Sequence, residues 1–205
     1  NSLEGVKIVT NPENIGFLKS CNKASNLCRG KYLVFLNNDT QIQEGWLSPL
    51  VETLSSGDNV GAVGSKLLYP DNTLQEAGGI IWRDATGFNY GKGKDHNEPQ
   101  FNFVREVDYC SGASLATIRN LFLEMGGFSE HYAPAYYEDT DFCFNLRKKG
   151  HRVVYHPKSV VIHCEGASCG TSEESGVKSY QRKNRHRFKS EWSTELAKHF
   201  EPTGK

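Results

Sequence analysis

The sequence predicts an α/β fold: a mixed, mainly parallel sheet with flanking helices. Three observations carry this. Short apolar runs rich in branched and aromatic residues recur at 6–11, 31–36 and 60–69. Stretches with helical spacing of apolar residues separate them, at 16–30 and 45–57. Glycine, asparagine and aspartate cluster at the joins. Strands alternating with helices of this length are the pattern of strand–helix–strand units, whose strands run parallel.

Each element has its own reason. "VKIVTN" (6–11) is a short strand. "GFLKSCNKASNLCRG" (16–30) is a helix, because Phe17, Cys21, Ala24 and Cys28 share one face and Gly30 stops it. "KYLVFL" (31–36) is a core strand, uncharged from Tyr32 to Leu36, that ends at Asn37, Asn38 and Asp39. "GWLSPLVETLSSG" (45–57) is a helix with Pro49 in its tolerant first turn, and "VGAVGSKLLY" (60–69) is the next strand. The glycine-rich, polar stretch 77–99 reads as irregular loop or hairpin. Strand character returns over 103–119, and 120–128 is a short helix ended by Gly126 and Gly127. "EDTDFCFNLRKKG" (138–150) is a helix, acidic at its start and basic at its end, as the helix dipole favours. On it Phe142, Leu146 and the stem of Lys149 make the inward stripe, leaving Asp141 to serve the N-terminus. "HRVVYHPKSVVIHC" (151–164) reads as two short strands around Pro157, and 173–192 as a basic C-terminal helix. Residues 1–170 form the main domain and 171–205 a helical extension.

Composition excludes several classes. The 205 residues suffice for one domain with a real core, and 24 basic against 24 acidic side chains leave no net charge. A general nucleic-acid binder carries a basic excess, so no nucleic-acid partner is expected. No run approaches the roughly 20 apolar residues of a membrane span. The six cysteines, Cys21, Cys28, Cys110, Cys143, Cys164 and Cys169, are scattered without a paired CxxC and read as small core residues of a reducing compartment. His163, Cys164 and Cys169 make only a weak zinc pattern.

Polar residues at element ends carry the chemistry. Asn and Asp after a strand explain themselves as a turn. They also suit a ligand site, because open α/β sheets bind ligands beyond the carboxyl ends of their strands. Glu138 and Asp139 would in any case complement a helix N-terminus. Together with His163 the set gains a second meaning. Carboxylate oxygens plus one imidazole suit Mg²⁺ or Mn²⁺, which then completes its shell with phosphate oxygens and water. A separate carboxylate is free to act as general base.

Two segments carry a resemblance. "NPENIGFLKSCNKASNLCRGKYLVFLNNDTQIQEGWLSPLV" and "GGFSEHYAPAYYEDTDFCFNLRKKGHRVVYHPKSVVIHCEGAS" resemble the inverting family-2 glycosyltransferases of GT-A fold. The rhamnosyltransferase-like branch, found in polysaccharide assembly, is the nearest in character. The likeness runs over about residues 6–170. It implies that Asn37–Asn38–Asp39 stands at the D-x-D motif, with Asp39 holding the cation on the donor diphosphate and Asn37 contacting ribose or sugar. It implies Asp139 as general base in an "ED" motif, with Glu138, Gly126 and Gly127 on the acceptor side. His163 resembles a downstream histidine that reaches the metal, and Asn14, Gly16 and Asn22 match a segment near the donor nucleotide. The implied cofactor is Mn²⁺ or Mg²⁺. The implied partners are a nucleotide-sugar donor and a glycan or lipid-linked glycan acceptor, and the implied place is cytoplasmic, with the inner face of the cell membrane as the variant. The resemblance also implies nucleotide-binding strands ahead of Val6, so a chain starting here is expected to bind donor feebly alone and to pair through an exposed edge as a homodimer. Two rival readings stay open: a non-catalytic acceptor-binding or scaffold module, and a metal-dependent phosphoryl-transfer enzyme.

Overall fold

The computed structural model describes residues 5–164 and 179–202. Its elements in chain order are α1 (Gly16–Leu27), β1 (Tyr32–Leu36), β2 (Thr40–Ile42), α2 (Leu47–Ser55), β3 (Val60–Leu68), β4 (Leu74–Glu76), β5 (Gly79–Ile81), β6 (Gly87–Asn89), β7 (Arg105–Glu106), β8 (Ser114–Ile118), α3 (Arg119–Glu124), α4 (Glu138–Lys148), β9 (Arg152–His163), α5 (Ser179–Glu191) and α6 (Ser193–Leu196). The sheet runs β1-β8-β3-β9-β2, with β4 added to β3 and β7 to β9; β5 and β6 form a separate hairpin.

The sheet is mixed, as expected, but parallel pairing is its minority. Among the described strands only β3 and β9 pair parallel, while β1–β8, β3–β8, β3–β4, β2–β9 and β7–β9 are antiparallel. The β1–α2–β3 unit does give β1 and β3 the same direction. However, β8 enters between them, antiparallel to both. Hydrophobic pattern reports which faces are buried, not which strand lies alongside.

All nine positions of β3 are buried, as befits a central strand covered on both faces. On one face α2 seals Leu50, Leu54, Val60, Val63, Ala116 and Val154. On the other, α1, α3, α4 and α5 enclose an aromatic cluster. Phe122 lies 4.9 Å from Phe35, 5.1 Å from Phe128 and 5.1 Å from Phe142, centroid to centroid. Phe188 of α5 packs 4.9 Å from Phe144, and Trp192 and Leu196 join the same core. Residues 171–178 of the predicted C-terminal extension lie outside the described residues; from Ser179 onward its helices complete the main core.

Two further expectations are corrected. Residues 6–11 form no strand: Val6 is 58% and Ile8 86% exposed, and no described strand lies alongside to accept their backbone groups. Residues 151–164 are one strand, not two, because β9 absorbs Pro157 in a register shift: His156 pairs Ser65 and the next paired residue is Val160, opposite Lys66. Proline cannot donate to a ladder, and a bulge removes that demand.

Candidate active site

Strand register builds the first half of the site. β2 pairs antiparallel with the end of β9, Thr40 opposite His163. Asp39, one residue earlier, is thereby carried to the imidazole. Its carbonyl accepts the Cys164 N–H at 2.9 Å, and its Oδ1 lies 3.3 Å from His163 Nε2. The turn is fixed from both sides: Asn37 N–H donates to Ala113 O at 3.1 Å, and Thr40 Oγ1 donates to Asn37 O at 2.6 Å. Asn37 Nδ2 reaches His163 Nε2 at 3.4 Å, while Asn38 is exposed. Asp39 Oδ1 is buried and takes part in no hydrogen bond. A buried carboxylate oxygen in that state is costly unless a cation reaches it.

The second half begins at the entry to α4. Tyr136 and Tyr137 both hold positive φ, 74° and 72°, where aromatic side chains are strained. Neighbouring bonds over-determine this backbone. Tyr137 Oη donates to Ala85 O at 2.7 Å. Asn184 of α5, wholly buried, donates through Nδ2 to the carbonyls of Tyr132, Ala135 and Tyr136 at 2.7, 3.0 and 2.9 Å. The chain thus delivers Asp139 at a defined place. Asp139 Oδ2 accepts Gly112 N–H at 2.8 Å, and Oδ1 accepts Thr140 N–H at 2.7 Å and Thr140 Oγ1–H at 3.2 Å. Burial pushes its carboxyl above the usual range, opposed by these donors.

Residues 111–113 join the halves. Ala113 O holds the Asn37 turn, Gly112 N–H holds Asp139, and Ser111 N–H donates to Glu76 Oε1 at 3.3 Å. A Cβ at Gly112 would make only ordinary contacts, with Phe17 at 3.4 Å and Asp139 Oδ2 at 3.6 Å.

The remaining predicted residues have these surroundings. Glu138, expected on the acceptor side, is 5% exposed and faces inward, with Oε2 unpartnered. Burial, then the adjacent Asp139, pushes its carboxyl well above the usual range. Asp141, expected to serve the helix N-terminus, is buried and accepts Trp192 Nε1–H at 2.8 Å. Lys149 is exposed rather than part of the inward stripe. Asn22, expected at the nucleotide, is occupied by Phe128: its Oδ1 accepts Phe128 N–H and its Nδ2 donates to Phe128 O, both at 2.8 Å. Asn14 Oδ1 accepts Gly16 N–H at 3.0 Å, a local turn at the start of α1. Gly16 has φ +78° and sits where a Cβ would be 2.9 Å from Pro134 O, so it seats α1 against the segment leading to Asp139. Gly126 and Gly127 form the turn after α3, with Gly127 packed on the Asn22 carboxamide.

Sequence reasoning missed Gln75 and Glu76, both 2% exposed on β4. Gln75 Oε1 lies 2.8 Å from His163 Nδ1. Two adjacent polar residues look like a loop, and nothing local to "LQEAGG" announces their burial. Cys110 and Cys143 are buried as expected, while Cys28 and Cys164 are exposed and Cys169 lies outside the described residues. Among the described residues no group of three or more His, Cys, Asp or Glu is placed to hold a metal, and no helix is long and apolar enough to cross a membrane.

Known proteins share this fold. The fold matches a crystal structure of GalNAc-T7 with UDP, GalNAc and Mn²⁺ at TM-score 0.71 and 16% identity, covering 93% of this chain and 38% of that one. It also matches the mannosyltransferase PcManGT from Pyrobaculum calidifontis in complex with GDP-Man and Mn²⁺, at TM-score 0.53 and 16% identity over 79% of this chain and 40% of the other. The O-antigen biosynthesis protein RfbC of Myxococcus xanthus is 32% identical over 158 residues, 72% of this chain. An N-acetylglucosaminyl-diphospho-decaprenol L-rhamnosyltransferase of Mycobacterium tuberculosis is 25% identical over 74% of this chain. The chain spans 12% of the length of the first and 52% of the second. Residues 1–119 match the family described as Glycosyl transferase family 2, a span that holds Asp39 but ends before Asp139 and His163. More than half of the chain falls within that match, and the chain belongs to glycosyl transferase family 2.

Proposed function

We propose that this chain carries the transfer site of a metal-dependent, inverting glycosyltransferase, which moves a sugar from a nucleotide-sugar to an acceptor hydroxyl in polysaccharide or glycan assembly. One observation carries the reading: Asp39 Oδ1, buried and without a hydrogen bond, faces His163 Nε2 at 3.3 Å. A carboxylate oxygen and an imidazole nitrogen fit Mn²⁺ or Mg²⁺. With two protein ligands, such an ion takes the rest of its shell from the donor diphosphate and water. When bound, it supplies positive charge against the departing diphosphate.

The protein's own residues do the remainder. Asn37 and Asn38, exposed or half-buried at the same turn, offer amides to the donor's ribose or sugar. Asp139, on the other side of residues 111–113, takes the proton of the acceptor hydroxyl as that oxygen attacks the anomeric carbon. Its Oδ2 accepts only the Gly112 N–H and so keeps a lone pair for that proton, while Oδ1 is filled by the two Thr140 donors. Attack from the face opposite the leaving diphosphate inverts the anomeric centre. The names of the O-antigen biosynthesis protein and of the rhamnosyltransferase support a glycan or lipid-linked glycan acceptor.

The test uses the intact protein. Mn²⁺ and nucleoside diphosphate binding are measured by calorimetry for the wild type and Asp39→Ala, and the anomeric configuration of the first product is read by NMR. Asp39→Ala is expected to abolish metal-dependent nucleotide binding, and the product to be inverted. Unchanged binding removes the metal site, a retained anomer removes the mechanism, and phosphate-ester hydrolysis without sugar transfer favours the phosphoryl-transfer rival.

A further inference from the structure

Behind His163 stands a buried amide. Gln75 is 2% exposed and meets the same histidine twice: Oε1 lies 2.8 Å from Nδ1, and Nε2 lies 3.4 Å from the His163 carbonyl oxygen. The chemistry of these four atoms allows one arrangement. A backbone carbonyl only accepts, so the amide must turn its NH₂ toward it. That leaves Oε1, itself only an acceptor, against the ring, so Nδ1 carries the proton. In the neutral imidazole Nε2 then holds the lone pair. It lies 3.4 Å from the Asn37 amide Nδ2, a donor, and 3.3 Å from Asp39 Oδ1, which makes no hydrogen bond; two acceptors this close call for a cation beside them.

We propose that Gln75 is a positioning residue that fixes His163 as the Nδ1–H tautomer, so that Nε2 and Asp39 Oδ1 stand as a ready ligand pair for a divalent cation. The proposal rests on the reading of Asp39 and His163 as the cation site. Without Gln75 the neutral ring is free to adopt the Nε2–H tautomer, which donates to Asp39 and closes the pair with no metal. Partners behind a metal-bound histidine typically contribute about 10- to 100-fold in metal affinity.

The experiment measures Mn²⁺ affinity of the intact protein by the electron paramagnetic resonance signal of free Mn²⁺ at one fixed pH. The tautomer is read separately, from ¹⁵N–¹H correlations of the histidine rings in metal-free protein. Gln75→Leu removes the acceptor and is expected to weaken Mn²⁺ binding about 10- to 100-fold and to move the His163 ring off the Nδ1–H pattern. Gln75→Glu keeps an acceptor for Nδ1 and is expected to retain both the pattern and the affinity. If Gln75→Leu does not fold, Gln75→Met, closer to glutamine in shape, replaces it. Equal losses in the Leu and Glu variants indicate mere packing and overturn the proposal, as does an unchanged tautomer in Gln75→Leu. Asp39→Ala separates the two layers. If it leaves Mn²⁺ affinity intact, the cation site itself falls and the proposal with it; if it abolishes binding while Gln75→Leu does not, only the role of Gln75 falls.

Discussion

At the scale of single residues, environment assigns roles to two adjacent carboxyl groups. Glu138 is buried with an unpartnered oxygen, and burial pushes its carboxyl well up, whereas Asp139 receives two backbone N–H groups and a hydroxyl. Burial raises both carboxyls, Glu138 the more strongly, and this difference supports Asp139 as the proposed base. Asp139→Asn keeps shape and removes basicity, so kcat is expected to fall by about 10²- to 10⁴-fold, while donor affinity survives. Glu138→Gln keeps the shape of this inward-facing side chain and is expected to leave kcat nearly unchanged. Because burial raises Asp139, and the base must be deprotonated, activity should rise with pH along a limb above the ordinary carboxylate value of about 4. Steady-state kinetics of the two variants and a pH profile check all three. Asp39, Asp139 and His163 were legible in the sequence as polar residues at element ends, and the family resemblance supplied the roles expected of them. Gln75, Glu76 and the burial of Glu138 were not, since their meaning lies in partners up to 88 residues away.

At the scale of elements, the turn after α3 shows what a glycine pair is for. Gly126 and Gly127 have φ +83° and +77° and end the helix. Their surroundings differ: a Cβ on Gly126 meets nothing within 4 Å, whereas one on Gly127 would lie 2.6 Å from Asn22 Oδ1. Asn22 joins α1 to this turn through two bonds to Phe128, so pushing it aside loosens α1 as well. Gly126→Ala is expected to cost about 1 kcal/mol, the strain of left-handed backbone alone. Gly127→Ala is expected to cost about 2–4 kcal/mol, strain plus disruption of buried hydrogen bonds. Urea denaturation of both variants makes the comparison; equal losses would show that the Asn22 clamp contributes nothing. The helices 16–27, 47–55 and 138–148 and the strands 32–36 and 60–68 lay close to where the sequence put them, because apolar period and caps are local signals. Strand partners were not local. The insertion of β8 between β1 and β3, and the register shift that keeps Pro157 inside β9, depend on residues far along the chain.

At the scale of the whole molecule, the C-terminal helices hold the active-site frame. Asn184 grips the backbone that leads into Glu138 and Asp139, Tyr132 Oη donates to Glu191 Oε2 at 2.8 Å, and Trp192 reaches Asp141. The last contact has a measurable consequence. Asp141 is 3% exposed, and burial lifts its carboxyl from 3.8 to about 6, with Glu191 adding repulsion while Trp192 Nε1–H and Asn145 Nδ2 pull the other way. The folded chain therefore binds this proton more tightly than the unfolded chain does. Stability contributed by the group is present below about pH 4 and is lost as pH rises through about 6, the reverse of a salt-bridged aspartate. The full loss is about 2–3 kcal/mol at pH 7, from a gap of about two units at 1.36 kcal/mol each. Asp141→Asn keeps an acceptor oxygen for Trp192 and cannot ionise. Unfolding free energies of wild type and variant, measured from pH 3.5 to 7.5 and subtracted to cancel the other titrating groups, should agree at the acid end. The variant should become the more stable by about 2–3 kcal/mol at the neutral end. A wild type that gains on the variant as pH rises would mean that Asp141 is stabilised as an anion by its indole and amide partners, and that α5 is held to α4 by charge rather than in spite of it.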